Sequence, residues 1–347
     1  MVEHHLLQPD CNLEQWFAEQ NQPRYRAAQV RAWIFHTRAT TFDEMTNLPQ
    51  EIRKGLSEEF QIWTTTVAKH QTTDDGTEKL LLVLSDHAQI ECVLLRDGSR
   101  RTICISTQVG CAMGCVFCAS GLNGVERNLT VGEILEQALR LQRLLPENER
   151  LSHIVVMGMG EPLANLNALL PALTVASNPN GLGISTRRIT ISTVGLPQAI
   201  HRLADLDTGF HLAVSLHAAD DALRNRLVPI NAKTGLKQIL AAADHYFESS
   251  GRRLTFEYVL LGEINDRDCD AHRLVELLRG RPALLNLIPY NPVDGLPYRA
   301  PSSNALSRFR NVLTRGGLTV KVRQRKGDKI NAACGQLRRT QDIAKAE

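Results

Sequence analysis

Three cysteines stand close together in the stretch Gly110-Cys111-Ala112-Met113-Gly114-Cys115-Val116-Phe117-Cys118, at C-x3-C-x2-C spacing. Three thiolates from one short loop can bind three irons of a cubane 4Fe–4S cluster, which usually takes four. No fourth cysteine follows at close spacing, so one iron is left open to a second molecule. The competing readings are three structural thiols, or zinc, which normally wants four closed ligands and favours C-x2-C pairs. Three further residues have chemistry to offer: Cys334 in Ala332-Ala333-Cys334-Gly335-Gln336-Leu337, Cys104 just ahead of the cysteine loop, and Glu91 beside Cys92. A buried cysteine is usually a small hydrophobe, and that reading is kept for Cys11, Cys92 and Cys269.

A second set of polar residues follows the loop. Gly158-Met159-Gly160-Glu161-Pro162 offers glycines that let a ligand approach the backbone, and Glu161 can bind an ammonium group. Ser192-Thr193 and Ser215-Leu216-His217 offer hydroxyls, although each is more often a helix N-cap than a ligand. Asn291, in Pro289-Tyr290-Asn291-Pro292, is either a ligand contact or an ordinary Asn-Pro turn.

These residues need a frame. Residues 1–88 read as mostly helical, with Ala27, Val30, Ile34 and Phe35 on one apolar face and a second helix from Gln50 to Phe60. Leu80–Leu84 and Ile90–Leu95 read as a hairpin turning near Asp86-His87. Ile103–Ser106 is the strand that feeds the cysteine loop. Thr130 and Glu133 form a capping box that opens a helix running to about Leu144. Strands are then expected at Ile154–Met157, Arg188–Ser192, Leu212–Ser215, Thr255–Leu260, Leu284–Ile288 and Thr319–Arg323. Helices are expected at Leu166–Ala176, Leu196–Ala204, Leu236–Phe247, Asp270–Leu278 and Asn304–Arg315. The fold class is α/β. About six βα units predict a partial, TIM-like (βα)6 barrel, since a full barrel has eight. Every motif falls just after an expected strand, where parallel barrels place their sites. The reading divides the chain into a small helical accessory domain, 1–88, and a core, 89–347.

The chain has 347 residues, 43% of them hydrophobic, and a formal net charge of +3. No secretory h-region opens the chain, and no apolar run approaches the roughly 20 residues that span a bilayer. Eight cysteines without a signal peptide point to a reducing cytosol, where thiols serve as ligands or catalysts. From Arg308 to Arg339, ten Lys or Arg stand against one acid, Asp328. Such a cluster points to a polyanionic partner, most simply RNA or DNA. Six basic residues from Arg24 to Lys54 make the helical domain either RNA-binding or a scaffold.

The cysteine loop, with Phe117 before its last cysteine, resembles the signature of radical-SAM enzymes. In these, S-adenosylmethionine (SAM) chelates the open iron of the 4Fe–4S cluster held by Cys111, Cys115 and Cys118. Ile105 to Cys111, Gly158 to Pro162, Ser215-Leu216-His217, Val228-Pro229-Ile230-Asn231 and Ala333 to Leu337 resemble the RlmN/Cfr family of radical-SAM RNA adenine methyltransferases. Phe42 to Thr46 resembles the family's helical N-terminal domain. The resemblance implies that Gly160, Glu161, Ser192, Ser215, Leu216, His217 and Asn291 bind SAM, two molecules per turnover. It implies that Cys334 takes a methyl group from one SAM, and that a radical made from a second SAM removes a hydrogen from it. The methylene then adds to the adenine, Glu91 accepts the ring proton, and Cys104 forms a transient disulfide with Cys334 to release RNA. Proline at 162 favours carbon 2 of the adenine over the carbon 8 of Cfr types, while Tyr290 stands where many carbon-2 enzymes have tryptophan. The implied substrates are rRNA and tRNA, the electron donor flavodoxin or ferredoxin, and the protein a cytoplasmic monomer away from membranes. Two other classes stay open: a zinc-stabilised RNA-binding module without catalysis, and radical chemistry on a protein or small molecule.

Overall fold

The computed structural model describes residues 4–9, 11–324 and 326–338, so Arg325 and Arg339 of the basic run lie outside the described residues. Three helices open the chain: α1 (Leu13–Glu19), α2 (Tyr25–Ala32) and α3 (Gln50–Glu59). Asn12 starts α1 by accepting a hydrogen bond from the Gln15 N–H, as an N-cap should. The apolar face expected around α2 is buried at Ala27, Val30, Ile34 and Phe35. Thr41 and Glu44 form a reciprocal capping box in the short turn Phe42–Glu44. Two-residue strands β1 (His4–His5) and β2 (Phe60–Gln61) pair parallel and close this region.

Of the expected RNA-facing basic set, Arg38 ties the helices to the core, and Arg31 and Arg53 brace the helical region itself. Arg38 sits at φ 63 and donates to the Leu145 carbonyl at 2.7 Å. Arg31 pairs with Glu14, and Arg53 donates to the Asp43 carbonyl at 2.6 Å. These three arginines therefore hold structure, which leaves fewer of the expected cations for a polyanion.

A ten-stranded sheet follows: β3 (Thr66–Thr72), β4 (Glu78–Val83), β5 (Gln89–Asp97), β6 (Arg100–Cys104), β9 (His153–Val156), β10 (Ile189–Thr193), β11 (His211–Ser215), β12 (Leu254–Leu260), β13 (Ala283–Pro289) and β14 (Thr319–Val322). Its order is β14-β13-β12-β11-β10-β9-β6-β5-β4-β3. From β6 onward every pairing is parallel, and β3 to β6 are antiparallel. Six βα units run from β6 to β13, and β14 closes the series, so the barrel is partial, as expected. The crossover helices are α4 (Val131–Gln142), α5 (Leu166–Ser177), α6 (Pro197–Asp205), α8 (Gly235–Ser250), α9 (Asp268–Leu278) and α10 (Ser303–Arg315). The capping box of Thr130 and Glu133 opens α4.

The sequence reading differs from the structure in four places. Residues 66–72 are a strand, not part of a helical region. The cysteine loop is flanked by an unexpected hairpin of β7 (Gln108–Gly110) and β8 (Val125–Asn128). A short helix, α7 (Asp221–Leu227), follows β11. Cys269 is exposed at the start of α9 and so is no buried hydrophobe, whereas Cys92 is fully buried.

After β14 the chain crosses back over the open side of the sheet. Lys326 Nζ donates to the Arg96 carbonyl at 2.7 Å, the Gly327 N–H donates to Asp75 at 3.1 Å, and Lys79 Nζ donates to the Asn331 carbonyl at 3.1 Å. Residues 326–338 thus form a strap, tied to the β3–β4 hairpin, that carries Cys334.

Candidate active site

The cysteine loop is built by close backbone approaches. Gly110 has φ +79, and a Cβ there would lie 2.1 Å from the Gly124 carbonyl oxygen; only glycine fits. The Cys111 N–H donates to that same carbonyl at 2.9 Å. Gly160, at φ +102, would place a Cβ 2.7 Å from the Gln108 Cβ. That contact packs the Gly158–Pro162 loop onto the strand leading into the cysteines. The loop is pinned further by the Thr107 N–H on the Met159 carbonyl at 2.8 Å and the Glu161 N–H on Gln108 Oε1 at 2.8 Å.

Cys111, Cys115 and Cys118 line one open cavity with Gly160, Glu161, Ser192, Ser215, His217 and Cys334. All three cysteines are half-buried. Burial pushes the Cys111 thiol up to about 12, and iron binding must displace such protons. Three thiolates brought to one cavity from a single short loop leave a cube's fourth corner open, whereas zinc normally wants four closed ligands.

Glu161 is buried, and its two carboxylate oxygens accept the Leu163 N–H at 3.0 Å and the Val194 N–H at 2.9 Å. Burial raises its carboxyl above the ordinary value, so a cation brought alongside is favoured. His217 has φ +60 and packs edge-on against Phe117 at 4.8 Å. Burial lowers its pKa to about 3. The ring is neutral, and its Nδ1 accepts the Val259 N–H at 3.1 Å. Leu216 is fully buried beneath this turn.

A second cavity lies on the far side of Cys334, lined by Cys104, Met157, Asn291, Arg323, Lys326 and Cys334 among others. Cys334 lines both. Asn291 Nδ2 donates to the Cys334 carbonyl at 3.1 Å, while Asn291 Oδ1 is buried with no partner. A buried acceptor of that kind awaits a donor from a bound molecule. Cys104 is buried, and burial, with Cys334 facing it, pushes its thiol up to about 12.

Glu91 lies on the Cys104 face of the sheet. Lys79 pairs with Val93 in register, Val93 pairs with Cys104, and Glu91 is two residues from Val93. Its carboxylate pairs with Lys79 at 2.7 Å, both side chains being buried, and accepts the Arg338 N–H at 3.0 Å. Burial, partly offset by Lys79, raises its pKa. Lys79→Met leaves a buried carboxylate unpaired, at a cost of about 3 kcal/mol when it is ionised. A raised carboxyl is tolerated protonated, so the loss is full at high pH and shrinks as pH falls through the raised value. Urea unfolding at pH 8 and pH 5 should show the larger loss at pH 8; equal losses would contradict this pairing.

The comparisons with known proteins agree with this geometry. Residues 8–62 match the family model of the ribosomal RNA large subunit methyltransferase N-terminal domain, and residues 105–275 match the radical SAM superfamily. The chain is 61% identical over 343 residues to a probable dual-specificity RNA methyltransferase RlmN of Rhodopirellula baltica, covering 99% of this chain and 92% of that one. The chain belongs to the RlmN family. An RlmN of Syntrophomonas wolfei is 42% identical, with 96% of each chain covered. The crystal structure of a radical SAM methyltransferase from Sphaerobacter thermophilus superposes with TM-score 0.91 at 42% identity, covering 94% of this chain and 96% of that one. This RlmN-family chain is thus a radical-SAM RNA methyltransferase, an enzyme class that works with a 4Fe–4S cluster and SAM. A non-catalytic module and a protein- or small-molecule-directed enzyme are both set aside.

One organiser of this RlmN site escaped the sequence reading. Arg224, on α7, is fully buried. It donates to the carbonyls of Ser215 at 2.8 Å and Leu216 at 2.9 Å, and also to the Val194 carbonyl and Asn231. One guanidinium therefore fixes the turns after β10 and β11. The Val228–Asn231 motif was the only nearby signal, and nothing in it names the arginine.

Proposed function

We propose that this RlmN-family enzyme methylates carbon 2 of an adenine in large-subunit rRNA and in tRNA, with Cys334 carrying the methyl group. The observation that supports this reading is that Cys334 lines both cavities: one around Cys111, Cys115 and Cys118, the other around Cys104. The three cysteines of the loop would hold the 4Fe–4S cluster, and Gly160, Glu161, Ser192, Ser215, Leu216, His217 and Asn291 would hold SAM. The bound cluster supplies the electron for reductive cleavage of SAM, and so removal of one hydrogen atom from a methyl group.

The chain's own residues do the rest. The Cys334 thiolate attacks the methyl carbon of SAM, the bond from that carbon to the SAM sulfur breaks, and S-adenosylhomocysteine leaves. The methyl on Cys334, once short of a hydrogen, adds as a methylene radical to the electron-poor ring carbon. Glu91, paired with Lys79, accepts the proton from that carbon, and the electron the adduct gives up would return to the cluster, which SAM cleavage leaves oxidised. The Cys104 thiolate then attacks the Cys334 sulfur. The sulfur–carbon bond breaks, the departing carbon takes a proton to become the RNA methyl group, and a Cys104–Cys334 disulfide remains. A dithiol reductant reopens it. Electrons come from a flavodoxin- or ferredoxin-like donor, and the enzyme acts as a cytoplasmic monomer. Among the described residues no helix is long and apolar enough to cross a membrane. Of residues 1–88, the helical part would form the RNA-binding accessory domain, while β3 and β4 at its end belong to the ten-stranded sheet. Proline at 162 is the basis for carbon 2.

Nucleosides from rRNA and tRNA treated with anaerobically reconstituted enzyme test this. Mass spectrometry should find 2-methyladenosine in both RNAs. Methyl on carbon 8, or methylation of rRNA alone, contradicts the corresponding part.

A further inference from the structure

We infer that Arg323 is a positioning residue shared by the two sulfur nucleophiles, its guanidinium lying against Cys334 and Cys104 in the cavity both line. The inference rests on the reading of Cys334 as methyl carrier. Arg323 directly follows β14, and its N–H donates to the Leu287 carbonyl at 2.8 Å, which sets the side chain's point of entry. Nη1 lies 3.8 Å from the Met157 sulfur, on the wall of the Cys104 cavity. Arg323, Cys104 and Cys334 line this one cavity, and the nearby Cys334, Glu257 and Cys104 hold the guanidinium's pKa above its ordinary value against its burial. Glu257 comes from β12, is buried, and accepts from Asn286 Nδ2 at 2.8 Å. A carboxylate fixed by an asparagine thus faces the arginine, and the arginine faces the sulfurs.

The chemistry needs such a group. Both sulfur steps use a thiolate, and a buried anion without a countercharge is costly. Arginine stays protonated, and its planar fork serves several acceptors at once. The other charged groups facing this pair are Glu257 from β12, Cys118 from the cluster loop, and Lys326 from the strap, which is already engaged by the Arg96 carbonyl.

The test uses Arg323→Met, Arg323→Gln and Arg323→Lys in full-length, anaerobically reconstituted enzyme. Intact-mass spectrometry follows methyl loading onto Cys334 from SAM, without RNA. Neutral variants should load about thirtyfold more slowly or worse, with unchanged KM for SAM and an unchanged visible spectrum. The lysine variant should recover a substantial part of the rate. Alkylation of Cys334 by iodoacetamide, read by peptide mass spectrometry, needs no SAM and should slow about tenfold in both neutral variants. Neutral variants that load and alkylate at the wild-type rate, or a lysine variant no better than methionine, overturn the inference. Wild-type enzyme that never gains a methyl on Cys334 sinks the methyl-carrier reading instead, and the alkylation result still decides on Arg323.

Discussion

Cys104→Ala accumulates enzyme joined covalently to RNA and loses turnover by roughly a thousandfold or more. In the proposed sequence Cys104 acts only after the methylene bridge between Cys334 and the adenine has formed. Without it, nothing displaces the Cys334 sulfur, so the bridge persists. Cys104 sits in the cavity that Cys334 lines, and its thiol is held up to about 12 by burial and by Cys334. It is thus a protonated bystander until its turn. A denaturing gel with labelled RNA should show a slow band that appears with SAM and reductant and vanishes on nuclease digestion. Normal turnover by the variant would remove the resolving role from Cys104. Because the cysteine is small and alanine nearly fills its place, the cost in stability is modest, about 1 kcal/mol.

Cys334→Ala abolishes RNA methylation and the covalent adduct together, while the iron content and the visible spectrum stay as in wild type. Cys334 lines the cluster cavity without belonging to the C-x3-C-x2-C loop, so cluster assembly should not need it. The residual rate falls by roughly a thousandfold or more, since the sulfur forms the bond that carries the carbon. Loss of iron in this variant would make Cys334 a ligand and contradict the methyl-carrier role.

The barrel was legible because its strands and helices have clear periods and caps. Five of the six crossovers appear within a residue or two of the expected ranges, and α8 runs three residues past Phe247 to Ser250. What was missed had no such signal. Thr66–Thr72 is polar and exposed along almost its whole length, because it is the sheet's outer strand and buries no alternating face. The β7–β8 hairpin pairs a three-residue strand with a charged, largely exposed partner. In the site, motifs found the cysteines and the Gly160-Glu161 loop, but not the charges that hold them. Lys79 finds Glu91 and Asn331, Arg323 finds Cys334, and Arg224 binds three carbonyls. The Lys79–Glu91 pair needs β4 laid beside β5, and the others exist only once the strap crosses the open barrel and α7 tucks under the turns. No spacing along the chain encodes them.

Methyl-deuterated SAM gives the most direct measurement of the path of the carbon. If Cys334 carries the methyl group, one deuterium is lost when the methylene forms and a solvent proton replaces it at release. The methylated adenine should then hold two deuteriums, and the Cys334 peptide of enzyme sampled before RNA is added should hold three. An adenine product carrying all three deuteriums would mean that the methyl group passed directly from SAM to RNA, and would contradict the account.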